Sequence, residues 1–192
     1  MGDSFVYFVS RDPHFAPAPG AVEAACALVR RVVTKRDGFD AKLTDHVEFF
    51  VNYEGGFKAR CPRCVSAQPE AELMAWIDED YREGAGFALA PRAMACCGAT
   101  LNLNELDYDP PAAFARFAIK LQNVRWGFED DLPTAPAWRD MMDEYRRTGR
   151  TGPLWNQTYA FIVAEVQAEV ERLAVRVGEA LGAPVRVVWQ SL

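Results

Sequence analysis

Two cysteine pairs, Cys61-Pro62-Arg63-Cys64 and Cys96-Cys97-Gly98, constrain this chain most, because a metal ion drawing ligands from both must bring two distant segments to one point. A Cys-Pro-x-Cys turn directs backbone N–H groups at its sulfurs, which lowers the thiolate pKa and offsets the charge gathered around a cation. The spacing predicts a zinc ion held by Cys61, Cys64, Cys96 and Cys97. Its role would be structural, since four thiolates close a tetrahedral shell and leave no position for substrate. The second pair departs from the usual C-x-x-C-G order. Met94 stands where the first cysteine would be, so Cys96 has to reach the ion by an unusual local backbone path. Failing that, the fourth ligand is His46, His14, a carboxylate or water. A redox reading of CPRC requires the motif to follow a first strand and open a helix, which this one does not. Cys26 falls on an apolar helical stripe and is expected in the core.

The chain has 192 residues, enough for one sizeable core and a smaller lobe. Acidic residues outnumber basic ones by 27 to 21, for a formal charge of −6. Such a surface repels phosphate backbones and anionic lipid, so nucleic acid is an unfavoured partner and another protein is the expected one. No apolar run reaches membrane-spanning length, and the first residues lack a basic segment followed by an apolar one. With cysteines spent as ligands, these features lead us to expect a cytoplasmic protein.

Hydrophobic periodicity sets the order of elements. Phe5 to Val9 is a continuous apolar run, expected as a central strand buried on both faces. Ser10 to Gly20 carries three prolines and is expected to be non-helical. From Ala21 to about Lys35, Val22, Cys26, Val29 and Val33 recur at helical spacing, and Asp37-Gly38 ends the pattern. His46 to Tyr53 alternates as a half-buried strand. Phe114 to Leu121 alternates too and is read as a strand, although Phe114, Phe117 and Leu121 also fit a helical period; Thr158 to Leu181 carries a long apolar stripe that Gly182 and Pro184 stop, and Val185 to Trp189 is a terminal strand. A shorter helix is expected from Thr134, as N-cap, to about Arg147, with Trp138, Met141, Met142 and Tyr145 inward. A mobile loop, Thr148 to Pro153, follows it.

Two β-α-β halves with a cysteine-bearing middle predict an α+β fold: a ferredoxin-like split β-α-β sheet, antiparallel, with both long helices on one face. Residues 1–54 and 110–192 would form this core domain, and residues 55–109 a zinc-ribbon-like insertion. The insertion reads as short and polar, with one helix from Glu70 to about Glu83 whose inner side is Leu73, Ile77 and Tyr81.

Catalytic motifs are sparse. There is no G-x-S-x-G elbow, no H-E-x-x-H, no phosphate-binding G-x-x-x-x-G-K and no dinucleotide G-x-G-x-x-G. Asp12 and His14 share a loop after the first strand and form the one conceivable acid–base pair, against the simpler reading of a solvated loop. Asn102 to Asp109 is oxygen-rich but lacks the glycine and distal glutamate of a calcium loop, so it reads as a solvated turn. Glu129-Asp130-Asp131 reads as surface charge. Arg146, Arg147 and Arg150, near Trp155 and Tyr159, are the densest basic cluster and could receive an anion.

Asp12-Pro13-His14-Phe15, the two cysteine pairs, Leu106-Asp107-Tyr108 and Leu181 to Trp189 together resemble an uncharacterised family of bacterial proteins, some of whose members carry the label "sugar ABC transporter ATPase". The resemblance implies the cysteine pairing and brings no catalytic residues; the absent phosphate loop does not support ATP hydrolysis. The expected function is that of a non-enzymatic, zinc-binding protein acting on another protein, an immunity or antitoxin protein being one form of it. Two alternatives are an enzyme using an open zinc position or the His14 loop on a small substrate, and a zinc-ribbon nucleic-acid binder.

Overall fold

The structure is a computed structural model that describes residues 3–52, 56–127, 135–149 and 155–191. The first strand, β1 (Ser4–Ser10), is buried along most of its length and has a partner on each side. Helix α1 (Pro19–Val32) begins two residues earlier than expected, inside the proline-bearing segment. Pro19 occupies its first turn, where a missing N–H costs nothing and the fixed φ suits a helix. The helix also ends earlier, at Val32. The β-branched run Val32-Val33-Thr34 favours extended backbone, and the chain continues as β2 (Val33–Lys35). Strand β3 (Gly38–Phe50) starts eight residues before His46, because Phe39, Ala41 and Leu43 carry the alternation backwards.

The middle of the chain holds short elements: β4 (Lys58–Arg60), α2 (Glu70–Asp80), β5 (Tyr81–Arg82), β6 (Gly86–Phe87), β7 (Arg92–Ala93), β8 (Thr100–Leu101), a 3-10 turn (Leu103–Glu105) and β9 (Asp107–Asp109). Leu73 and Ile77 face inward as expected, but Tyr81 does not: it is 47% exposed and lies on β5. The helix stops at Asp80 because that buried carboxylate accepts the Leu89 and Ala90 N–H groups at 2.7 and 2.8 Å, which ties the following hairpin back across the helix end. Residues 102–109 are structured rather than a solvated turn. Asn102 and Glu105 form a capping box, Leu103 and Leu106 are buried, and β9 pairs with β4.

The remaining elements are β10 (Ala113–Gln122), β11 (Arg125–Trp126), α3 (Ala135–Thr148), α4 (Trp155–Leu181) and β12 (Val185–Ser191). Gly182 closes α4 with φ +80° and donates to the Gly178 carbonyl, as its position after the apolar stripe predicts. On α3, Met141 and Met142 are half-buried while Tyr145 is 42% exposed, so the tyrosine is not part of an inward stripe. Thr134, the Trp138 side chain, Glu129-Asp130-Asp131 and residues 150–154 lie outside what the structure describes.

The six-stranded sheet has the order β12-β1-β10-β3-β6-β5. The first four strands pair antiparallel throughout, but β6 lies parallel to β3, so the sheet is mixed rather than antiparallel. The middle segment therefore extends the sheet as well as standing beside it. The main apolar core joins α1 and α4 to the sheet through Val6, Phe8, Cys26, Ile119, Val177 and Val187. Cys26 is buried there, as its place on the stripe predicts. A second core belongs to the middle segment, where Leu73, Trp76, Ile77, Leu101 and Leu103 pack on Val47 and Phe114 of the sheet. Phe114 is fully buried and stacks on Phe49 at 4.3 Å, so the middle segment is bound to the sheet by apolar contact and is less polar than its sequence suggests. Among the described residues, no helix is long and apolar enough to cross a membrane.

Candidate metal centre

Each cysteine pair lies in a six-residue turn, and the two turns share one backbone design. In the first, Cys61 N–H donates to the Ser66 carbonyl and Val65 N–H to the Cys61 carbonyl, both at 2.9 Å. In the second, Met94 N–H donates to the Ala99 carbonyl at 2.9 Å and Gly98 N–H to the Met94 carbonyl at 2.7 Å. Antiparallel pairing flanks both, Arg60 with Ala67 and Ala93 with Thr100. The fifth residue of each turn is left-handed: Val65 at φ 62° and Gly98 at φ 71°. By this correspondence Cys64 matches Cys97, and Cys61 matches Met94, both buried.

Cys96 sits one place before Cys97, where the first turn has Arg63, and the structure still brings its sulfur to the others. The four Sγ atoms all lie within 4.8 Å of one another. Cys61 and Cys97 are 3.7 Å apart, Cys64 and Cys96 3.3 Å, and Cys96 and Cys97 3.9 Å. A tetrahedral ion with metal–sulfur bonds of about 2.3 Å needs sulfur–sulfur edges of about 3.8 Å, so the donor set fits such an ion with small adjustments. Four cysteines are therefore close enough together to hold a metal ion. Cys61 is buried beneath the cluster, while Cys64, Cys96 and Cys97 are exposed.

The thiols influence one another strongly. Hydrogen bonds from Ser66, side chain and backbone, and then from Cys96 bring the Cys64 thiol down to about 6. The same contact with Cys64, followed by desolvation and the other two cysteines, pushes Cys96 up to about 12. The Ala99 N–H, and more weakly Cys96, pull Cys97 downward, yet desolvation and the Cys61 and Cys64 sulfurs leave it raised. One negative sulfur is accommodated and further ones repel it; a bound cation would reverse that balance by supplying the compensating charge.

Two supporting residues carry no signal in the cysteine spacing. Ser66 serves Cys64, and the Gln68 side-chain amide lies 4.0 Å from the Cys96 sulfur while also donating to the Ser66 carbonyl. A polar residue just beyond a cysteine turn is the only hint the sequence offers of such a role.

The other candidates are not gathered around this centre. The Asp12 carboxylate accepts the His14 backbone N–H at 3.0 Å, which makes a local turn, and His14 is exposed. His46 is not a ligand of the cluster; its Nδ1 lies 2.7 Å from the Asp45 carboxylate, whose pKa this contact lowers. Arg146 pairs with Asp143 at 3.0 Å one turn away. Arg150 and the side chains of Trp155 and Tyr159 lie outside the described residues. Searches against protein families, curated proteins and solved structures return no significant match for this chain.

Proposed function

We propose that Cys61, Cys64, Cys96 and Cys97 bind one zinc ion as a structural site, and that the protein acts by binding another protein rather than by catalysis. The observation that carries this reading is the set of three sulfur–sulfur distances between 3.3 and 3.9 Å, close to a tetrahedral edge. Sulfur-only donors favour zinc over magnesium or calcium, which require oxygen. Four thiolates also leave the ion no open position, which favours a fastening role. When bound, the ion would join the two turns.

We further read residues 1–54 and 110–192 as a ferredoxin-like core and residues 55–109 as a zinc-ribbon-like insertion. Support comes from the four long strands, which follow a β-α-β-β-α-β order and lie fourth, first, third, second across the sheet. The paired cysteine turns on short hairpins support the ribbon. A formal charge of −6 suits a basic protein partner, the arrangement an immunity or antitoxin protein would use.

Metal analysis tests the centre. Protein purified without chelator should carry one zinc per chain, and serine at Cys61, Cys64, Cys96 or Cys97 in turn should lower that content. A stoichiometry far below one in the parent protein, or an undiminished one in all four variants, overturns the reading.

A further inference from the structure

A second site lies on the middle segment, away from the cysteines. Between α2 and the edge formed by β3, β5 and β6 is an open cavity of about 500 Å³, within the range of small-molecule sites. Phe49, Phe57, Tyr81 and Phe87 line it, and none of the four cysteines does. The rings form a connected wall: Phe49 lies 5.6 Å from Phe57 and 6.0 Å from Phe87, and Tyr81 lies 5.2 Å from Phe87. Met74 and Tyr81, two of the large apolar side chains most exposed among the described residues, belong to the same cavity.

The backbone is shaped to make this cavity. Gly86 has φ +69°, and a Cβ there would stand 2.3 Å from the Val47 carbonyl oxygen and 2.8 Å from the His46 ring. Only glycine lets β6 approach β3 this closely, which fixes both Phe87 and His46 at the wall. Charge then selects the occupant. Glu48 is paired with Lys42 at 2.9 Å and Asp45 with His46, whereas no cation among the described residues pairs with the Asp78 carboxylate that also lines the cavity. Of the two carboxylates that line the cavity, Glu48 is offset by Lys42 and Asp78 is not, which leaves a net charge of −1.

We propose that this cavity binds an organic cation: an ammonium group carried on an apolar body, the body against the four rings and the charge at Asp78. Aromatic faces attract such cations through their quadrupoles, and a carboxylate beside them adds direct attraction. An anion would meet net negative charge there. A neutral apolar molecule would gain the ring contacts alone.

The experiment follows amide resonances of the full, metal-loaded chain during titration with 2-phenylethylammonium and, in parallel, with the neutral isostere 2-phenylethanol. The cation should give saturable shifts confined to residues 46–49, 57 and 74–87, at least about tenfold tighter than the alcohol. Asp78→Asn should remove most of that preference, and Phe57→Ala should weaken both ligands. Asp78 is exposed, so its variant keeps the fold, and unchanged metal content in both variants separates this result from the zinc reading. Absence of saturable shifts, equal binding of the alcohol, shifts located elsewhere, or an Asp78→Asn variant that binds the cation as tightly as the parent each overturns the proposal.

Discussion

The two cysteine turns allow one backbone effect to be tested twice with opposite signs. They share hydrogen bonds and a left-handed fifth residue, yet that residue is Val65 in one and Gly98 in the other. An L-residue with a Cβ is destabilised in this conformation by about 1–2 kcal/mol, and a β-branched one falls in the upper part of that range. Glycine escapes the clash but loses about 0.5–1 kcal/mol more chain entropy on folding. Val65→Gly should therefore stabilise the protein by roughly 1 kcal/mol, the difference between these terms. Val65 is 69% exposed, so little burial is lost with its side chain. Gly98→Val should destabilise by a similar amount, and a Cβ there meets nothing within 4 Å, so the effect is that of backbone alone. Urea unfolding followed by tryptophan fluorescence, with zinc in excess, gives both values. If the two substitutions change stability in the same direction, or Val65→Gly weakens the protein, the equivalence of the turns fails.

Three other outcomes follow from the described contacts. Asp80→Ala leaves the Leu89 and Ala90 N–H groups without their acceptor and should cost about 2–4 kcal/mol in the same unfolding assay; Asp80→Asn, which keeps one acceptor oxygen, should cost less. Phe114→Ala opens a cavity where the second core meets the sheet and should cost about 3–5 kcal/mol, with loosening of the middle segment visible as non-coincident fluorescence and circular-dichroism transitions. Removing metal with a chelator should raise hydrogen exchange at residues 61–66 and 94–99 while β1 and β10 stay protected.

The sequence showed the elements whose periodicity is dictated by one dominant contact. α4 is legible because Val166, Val170, Leu173 and Val177 all meet a single core, and β10 because Phe117, Ile119 and Leu121, every second residue, meet the same one. Boundaries failed where a local preference competed with that signal. Val32-Val33-Thr34 ended α1 early, and Asp80 ended α2 by accepting N–H groups from residues nine and ten places ahead, a contact no window of local sequence contains. The extension of the sheet by β6 was invisible for a similar reason. It depends on Gly86 meeting Val47, two residues 39 places apart in the chain. At the metal centre the ligand types and their two-turn grouping were legible. The match of Met94 with Cys61 was legible too, but the reach of the Cys96 sulfur to the other three was not, because it depends on how the two turns stand in space.

That match bears on how much the middle segment depends on a metal. A zinc finger that is unfolded without its ion has almost no other core. Here twelve of the described residues form a second buried apolar cluster, and two of them, Val47 and Phe114, belong to the long strands of the sheet. Burial of side chains such as Leu73, Ile77, Leu101 and Leu103 stabilises by about 1.5–3 kcal/mol each before entropy is counted, a sum comparable to the binding free energy of a structural zinc. Met94 contributes to that cluster from the very position where a cysteine would otherwise face the ion. In the second turn the buried position thus carries an apolar side chain, and the exposed Cys96 brings its sulfur to the group instead. The consequence of the proposed site is a division of labour: the apolar cluster holds the lobe on the sheet, and a bound ion would hold the two turn tips together.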